Sequence, residues 1–178
     1  MLSVRYRVLA SACLALLVML TRRAEALELR AGVGLGGILL GTVPRFAVSP
    51  HVGLSWRRES GLLFALNDNV SIVPATGQLG VGVYNQTGMS VGYVSKDFDI
   101  SLGPSLSIYS MPACGPTLCG RVVGLAPGGH GQGNFYVSGR LGISVSANLD
   151  WVGGQSLVLP GGWAAMIVAG PVFRWEVR

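Results

Sequence analysis

The chain of 178 residues carries few charges for its size. Charged residues make up 12% of it and hydrophobic residues 50%, with a formal net charge of +5 and a mean hydropathy of +0.52. Soluble proteins carry about 25% charged residues, so this chain lacks the charge that a soluble surface needs. Beyond the N-terminal segment, Gly, Ser, Asn and Asp interrupt every apolar run before it reaches the length of a membrane helix. A membrane protein without spanning helices must be a closed barrel, because only that structure satisfies its backbone hydrogen bonds in lipid.

The first 26 residues are typical of a secretory signal peptide. Two arginines precede an apolar run over residues 8–20, and Ala24 and Ala26 supply small residues for cleavage. The run is shorter than the roughly 20 residues of a membrane helix, although an uncleaved anchor stays an alternative. We predict cleavage after Ala26 and one domain over residues 27–178. The signal peptide takes four arginines and one glutamate with it, which lowers the net charge to +2 and leaves no argument for nucleic-acid binding.

Eight strand-like segments follow, each bounded by Gly, Pro, Asn, Asp or charged residues. They cover about residues 27–36, 46–56, 61–69, 79–94, 97–109, 132–138, 140–151 and 163–178. Apolar and polar residues alternate in most of them, which is the two-residue period of a strand with unlike faces. In the last segment the apolar face is unbroken and carries aromatic residues near both ends. This arrangement is typical of a strand that faces hydrocarbon between two interfacial belts.

The predicted connections alternate in length. Short connections over residues 57–60 and 95–96 and at Gly139 alternate with longer ones over residues 37–45, 70–78, 110–131 and 152–162. Outer-membrane barrels have short periplasmic turns and long external loops in this order. The aromatic residues agree: Trp56, Tyr93, Phe98, Phe173 and Trp175 fall near the inner rim, and Phe46, Trp151 and Trp163 near the outer one.

On these patterns the sequence resembles the small eight-stranded outer-membrane barrels, the family of the OmpA transmembrane domain and the OmpX-like proteins. The resemblance covers about residues 27–178 and is architectural, with no family-specific motif. It implies an all-β, eight-stranded antiparallel up-and-down transmembrane barrel in the outer membrane of a Gram-negative-type cell. Its expected partners are outer-membrane lipid and, during biogenesis, the barrel assembly machinery. Family members usually end on an aromatic residue that this machinery reads, whereas this sequence ends on Arg178.

The polar faces of the predicted strands carry charges of both signs. These residues are Glu28, Arg30, Asp97, Asp99, Arg140, Asp150, Arg174 and Glu176. Charges enclosed in a narrow lumen are expected to pair, because an unpaired buried charge is costly. We therefore predict a packed polar lumen that passes no solute larger than water or a small ion.

Cys114 and Cys119 lie in the longest predicted loop. In an oxidising compartment their spacing favours a structural disulfide. A metal site would need two further ligands, and none has suitable spacing. We predict neither a metal nor a cofactor.

His51 and His130 are the only histidines. Some small barrels modify lipid A with His and Ser near the outer rim. The pattern instead places His51 in the middle of a strand and His130 in a glycine-rich loop, which is a poor platform for a general base. We therefore predict a non-enzymatic protein with a structural or loop-mediated binding role, and keep a lipid A-modifying enzyme as an alternative.

A second alternative is a soluble secreted, lipocalin-like barrel that holds an apolar ligand. Such a barrel shows the same alternation with the two faces exchanged. The polar faces here consist mainly of Gly, Ser, Asn and Tyr, and the chain contains a single lysine, Lys96. This composition favours a cramped lumen over a solvated exterior.

Overall fold

The protein is a closed antiparallel barrel of eight strands, as the alternation predicts. The computed structural model describes residues 26–40, 43–58, 60–76, 80–114, 119–153 and 162–177. The strands are β1 (Ala26–Leu40), β2 (Val43–Arg57), β3 (Leu62–Val73), β4 (Gly82–Val94), β5 (Phe98–Cys114), β6 (Cys119–Tyr136), β7 (Leu141–Val152) and β8 (Gly162–Val177). Each strand pairs with its neighbours in sequence, and β8 pairs with β1 to close the barrel. Within the described ranges, no helix has the length and apolar character to cross a membrane.

The predicted signal peptide lies outside the described residues, apart from Ala26, which begins β1.

Two ends of the barrel can be distinguished. The turn end, where β1 begins and β8 ends, carries the connections from β2 to β3, β4 to β5 and β6 to β7. The loop end carries the other four connections.

The predicted alternation of short and long connections is wrong at two places. Only residues 41–42 separate β1 from β2, and only residues 115–118 separate β5 from β6. The predicted loop over residues 110–131 is therefore mostly strand, paired without a break from Phe98 to Cys114. Gly and Pro in this stretch indicate a loop in an ordinary sheet, but a barrel strand keeps its pairing there because glycine fits where the narrow lumen is crowded.

Successive residues point alternately into the lumen and outward. In β7 every second residue is buried; Ser144 is 3% exposed and its neighbour Val145 is 41% exposed. Large apolar side chains are exposed on the outside of every strand, for example Leu102 on β5 and Ile167 on β8. An apolar exterior around a largely polar interior argues against the lipocalin-like alternative, in which the faces are exchanged.

Aromatic side chains lie outside the barrel near both ends. The rings of Trp151 and Trp163 meet edge to face at 5.2 Å near the loop end. Those of Phe173 and Trp175 are stacked at 6.0 Å near the turn end. The apolar exterior lies between two such belts, as in barrels that span a membrane.

Inward-facing glycines make room for large side chains on the neighbouring strands. A Cβ atom added at Gly124 would come within 2.7 Å of Tyr109 Cζ, and one at Gly88 would collide with the His130 imidazole. The interior of eight strands is only just wide enough for side chains. These glycines therefore allow Tyr109 and His130 to fill the lumen.

Candidate functional site in the barrel lumen

A cluster of charged side chains fills the lumen at the turn end. Arg30 lies between two carboxylates, with Nη1 at 3.1 Å from Asp99 Oδ1 and Nη2 at 3.5 Å from Glu28 Oε2. Arg57 and Arg174 approach Glu28 Oε1 at 3.6 and 3.9 Å. Glu28, Arg30 and Asp99 are each 1% exposed. This turn-end cluster is compensated internally, since each buried carboxylate faces at least one arginine.

Polar side chains extend the turn-end cluster along the lumen wall. Asn134 donates a hydrogen bond of 2.6 Å to Asp99, and Gln132 donates to Asn134 and to Ser144 at 3.2 and 3.1 Å. The hydrogen bond from Asn134 to Asp99 is charge-assisted, and such bonds are among the stronger ones in proteins. It helps to hold the Asp99 carboxylate in the orientation in which it pairs with Arg30.

Arg174 lies in the lumen close to its turn end, beside the turn between β6 and β7. Its guanidinium lies 3.9 Å from the centre of the Tyr136 ring and donates to the carbonyl of Gly139 at 3.1 Å. A cation over an aromatic face and a carbonyl acceptor replace much of the hydration that the guanidinium loses. The contact with Gly139 also ties β8 to the turn between β6 and β7.

A second, separate polar group surrounds Asp150 farther along the lumen. Its carboxylate is fully buried and accepts hydrogen bonds from Ser105 at 3.0 Å, from Ser107 at 2.9 Å and from the Tyr84 hydroxyl. Tyr84 in turn stacks on Tyr109 with 6.3 Å between ring centres. Hydroxyl donors from β4 and β5 thus stabilise a carboxylate on β7.

The two histidines also point into the lumen. His130 is 4% exposed, and its Nε2 atom lies 3.2 Å from the amide nitrogen of Asn67, which is the donor. The prediction that His130 belongs to a flexible loop is wrong, because β6 begins at Cys119. His51 faces the lumen beside Gly32, where an added Cβ atom would collide with the imidazole.

The loop end of the lumen is apolar, which differs from the polar lumen that the sequence predicts. Its buried side chains are Ile38, Ala47, Val73, Tyr84, Tyr109, Met111, Ala126, Val152, Ala164, Met166 and Val168. We call this group the apolar cap. Five members, Ile38, Val73, Met111, Ala126 and Val152, lie in segments predicted to be loops. The signal that locates them is the two-residue period, which continues from the predicted strands through residues 37–40, 70–73, 110–131 and 152.

The eight charged residues predicted to line the lumen do not all meet in the structure. Four of them, Glu28, Arg30, Asp99 and Arg174, meet in the turn-end cluster, and Asp150 lies in the second group. Asp97, Arg140 and Glu176 are exposed and lie outside both groups. Asp97 and Arg140 belong to turns, and Glu176 is the penultimate residue of β8, so none of the three is enclosed by the barrel. Arg57 was missed, although it continues the inward face of β2.

Cys114 and Cys119 are directly opposite each other in the register of β5 and β6. Their side chains lie outside the described residues, so the disulfide stays a prediction. Across the described part of the chain, no three His, Cys, Asp or Glu side chains are grouped closely enough to hold a metal ion.

Comparison with known proteins identifies the fold. No protein-family model and no curated protein sequence matches the chain. Among solved structures, Neisserial surface protein A is similar with a TM-score of 0.54 and 13% identity over 84% of this chain and 97% of that one. The N-terminal β-barrel domain of Pseudomonas aeruginosa OprF gives 0.53, with 10% identity over 85% and 98% of the two chains. Ail of Yersinia pestis gives 0.53, with 7% identity over 84% and 98%. This chain has the fold of the small bacterial outer-membrane barrels.

Proposed function

We propose that the protein is a non-enzymatic barrel of the bacterial outer membrane, closed to solutes, which anchors its loop end at the cell surface. The observation that supports this proposal is the presence of buried side chains at both ends of the lumen. Paired charges fill it at the turn end and the apolar cap fills it at the loop end. A conducting path through eight strands would have to separate the ion pairs and also hydrate the cap.

The exterior supports the membrane location. Its exposed face is mainly apolar and lies between aromatic belts, which matches a surface that contacts hydrocarbon. The turn end then faces the periplasm, where short turns are found in such barrels.

The loop end supports a role in binding. Arg45 donates to the carbonyl of Pro74 at 3.0 Å, and Arg121 donates to the carbonyl of Val81 at 2.7 Å and to the Ser110 hydroxyl at 2.8 Å. These contacts hold both ends of the connection from β3 to β4, and a loop whose ends are positioned by a rigid scaffold is suited to recognition. Two of the similar structures are a surface protein and an attachment invasion locus protein by their names, which favours a surface role here too.

The positions of the histidines support the absence of catalysis. An enzyme that modifies lipid A needs a general base within reach of its lipid substrate at the rim. His130 instead lies inside the barrel and is paired with Asn67. The closed lumen offers a lipid no route to this imidazole.

Reconstitution in liposomes tests the proposal. Liposomes that contain the folded protein should swell no faster in arabinose than protein-free liposomes, because neither closure opens. Lipid A from expressing cells should give the same mass spectrum as lipid A from cells with an empty vector. Rapid swelling would contradict the closed lumen, and a new lipid A mass would contradict the non-enzymatic role.

A further inference from the structure

The outward face of the barrel carries an unusual polar patch on β3 and β4. Asp68, Asn85 and Thr87 all point away from the lumen; Thr87 is exposed and the other two are half-buried. Elsewhere on this face the described strand residues are apolar, glycine or proline, except for Ser110 and Arg121 near the loop end. The patch is therefore a local departure from an otherwise apolar exterior.

The patch lies at membrane depth. Asp68 is four residues along β3 from Phe64, an aromatic residue near the turn end, and a tilted strand advances about 2.5 Å per residue along the barrel axis. The carboxylate is therefore about 10 Å inside the apolar band. Its neighbours Val52 and Leu66 are 46% and 41% exposed, so apolar side chains surround it.

Internal contacts satisfy the patch only in part. Thr87 donates a hydrogen bond of 2.6 Å to Asp68 Oδ1. The amide oxygen of Asn85 is buried and has no hydrogen-bond partner among the residues that the structure describes. Ionisable residues on a membrane-spanning surface are costly, and they usually mark a functional contact. Lipid tails cannot serve as that contact, because they offer neither donors nor acceptors.

We propose that the outward face of β3 and β4 is the interface with a second copy of this chain in the membrane. The patch is complementary to a second copy of itself. Asp68 accepts hydrogen bonds, and the Asn85 amide has N–H donors that make no bond to Asp68 of the same chain. The three residues include no cation. A two-fold axis along the membrane normal places this face of one copy against the same face of the other. Each Asn85 amide then donates one N–H to Asp68 of the partner copy and the other to the amide oxygen of the partner's Asn85, so that the buried oxygen also gains a donor. Polar contacts of this kind favour association in lipid.

This inference rests on the proposed membrane location, which the same preparation tests separately. The protein is reconstituted alone in phospholipid liposomes, where a second copy is the only protein available for capture. Heat-dependent gel migration and protection of the strands from trypsin report insertion. If insertion fails, the proposed function is overturned, whatever the result for the interface.

A photo-crosslinking amino acid in place of Leu66 tests the interface in the inserted protein. Val145 on β7, on the opposite side of the barrel, is the matched control, since Leu66 and Val145 are both 41% exposed. We expect irradiation to give a covalent dimer from position 66 and only background from position 145. Equal yields at the two positions would overturn the proposal. Capture of a different membrane protein in cells, without a dimer in liposomes, would also overturn it.

Substitutions then test the patch itself. Asp68→Leu and Asn85→Leu should each lower the dimer yield from position 66 by about tenfold, because each removes both copies of the reciprocal contact. Asp97→Leu, which removes an exposed carboxylate from a turn, should leave the yield unchanged. The Asp68→Leu barrel should also fold at least as readily as the unaltered protein, since it removes a polar group from the lipid face. An undiminished dimer yield in Asp68→Leu and Asn85→Leu would contradict the role assigned to the patch.

Discussion

Arg30 illustrates how a charged side chain is held inside a narrow barrel. Its guanidinium pairs with Glu28 and Asp99, and all three residues are nearly inaccessible to solvent. Burial removes the hydration of each charge, so the group is stable only while every member has a partner. Removing one partner exposes the full cost of burying the others.

We therefore predict that Arg30→Met strongly destabilises the barrel. The substitution keeps much of the side-chain volume but leaves two buried carboxylates without their central cation, which should lower the free energy of unfolding by about 3–5 kcal/mol. Urea titration of the protein folded in detergent measures the change. Arg140→Met, at an exposed position in a turn, is the control and should change stability by less than about 0.5 kcal/mol. Equal effects of the two substitutions would show that the turn-end cluster contributes no special stability.

Single residues also show how much of the charged cluster in the lumen can be predicted from the sequence. Alternation places Glu28, Arg30 and Asp99 on inward faces, because each lies within a strand that keeps the two-residue period. It cannot separate the last strand residue from the first turn residue, so it places Asp97 and Arg140 in the lumen although both are exposed. It also does not show which charges meet. The ion pair between Arg30 on β1 and Asp99 on β5 forms across the lumen, and the distance across it depends on the curvature of the closed barrel.

At the scale of single strands, β7 is the clearest test of the two faces. Its buried and exposed residues alternate without exception. We predict that Val145→Arg, near the middle of the strand, costs about 2–4 kcal/mol, the penalty for a cation in the middle of the membrane. Val145→Leu should be nearly neutral, because it keeps the lipid face apolar. Lipid-soluble quenchers that reached position 144 more readily than position 145 would show that the faces are inverted.

β5 and β6 form the longest hairpin of the barrel, with 17 and 18 residues. Their register brings Cys114 opposite Cys119 at its tip. We predict that these cysteines are bridged and that the bridge stabilises the tip by no more than about 3 kcal/mol, because it closes a short ring. Mass spectrometry after alkylation without reductant checks the bridge. Alkylation of both thiols in the folded protein would reject it, and Cys114→Ser should leave the unfolding of the barrel nearly unchanged.

The length of this hairpin could not be predicted from the sequence. Pro112, Pro127 and a run of glycines interrupt the apolar pattern, and such residues usually end strands. In the barrel, Pro127 points outward, and Gly124 points inward to leave room for Tyr109. Local signals therefore suffice for β7 and β8, whereas β6 depends on contacts across the lumen that only the closed barrel reveals.

At the scale of the whole molecule, the lumen has layers of different chemistry. Paired charges lie at the turn end, the hydrogen-bonded groups of His130 and Asp150 follow, and the apolar cap lies at the loop end. The sequence predicts the number of strands and a filled interior, since both follow from the two-residue period. It does not predict the cap, because the cap is assembled from residues of all eight strands.

Planar-bilayer recording of the purified, refolded protein tests the closure of the lumen most directly. Because both the ion pairs and the apolar cap would have to open, we expect no stable conductance steps above the protein-free bilayer at moderate voltage. Trypsin protection verifies insertion in parallel, so that a failure to insert is not mistaken for the absence of conductance. Large single-channel steps that recur across preparations, and that change when Tyr109→Trp or Arg30→Met alters the lumen lining, would show that the barrel is a channel.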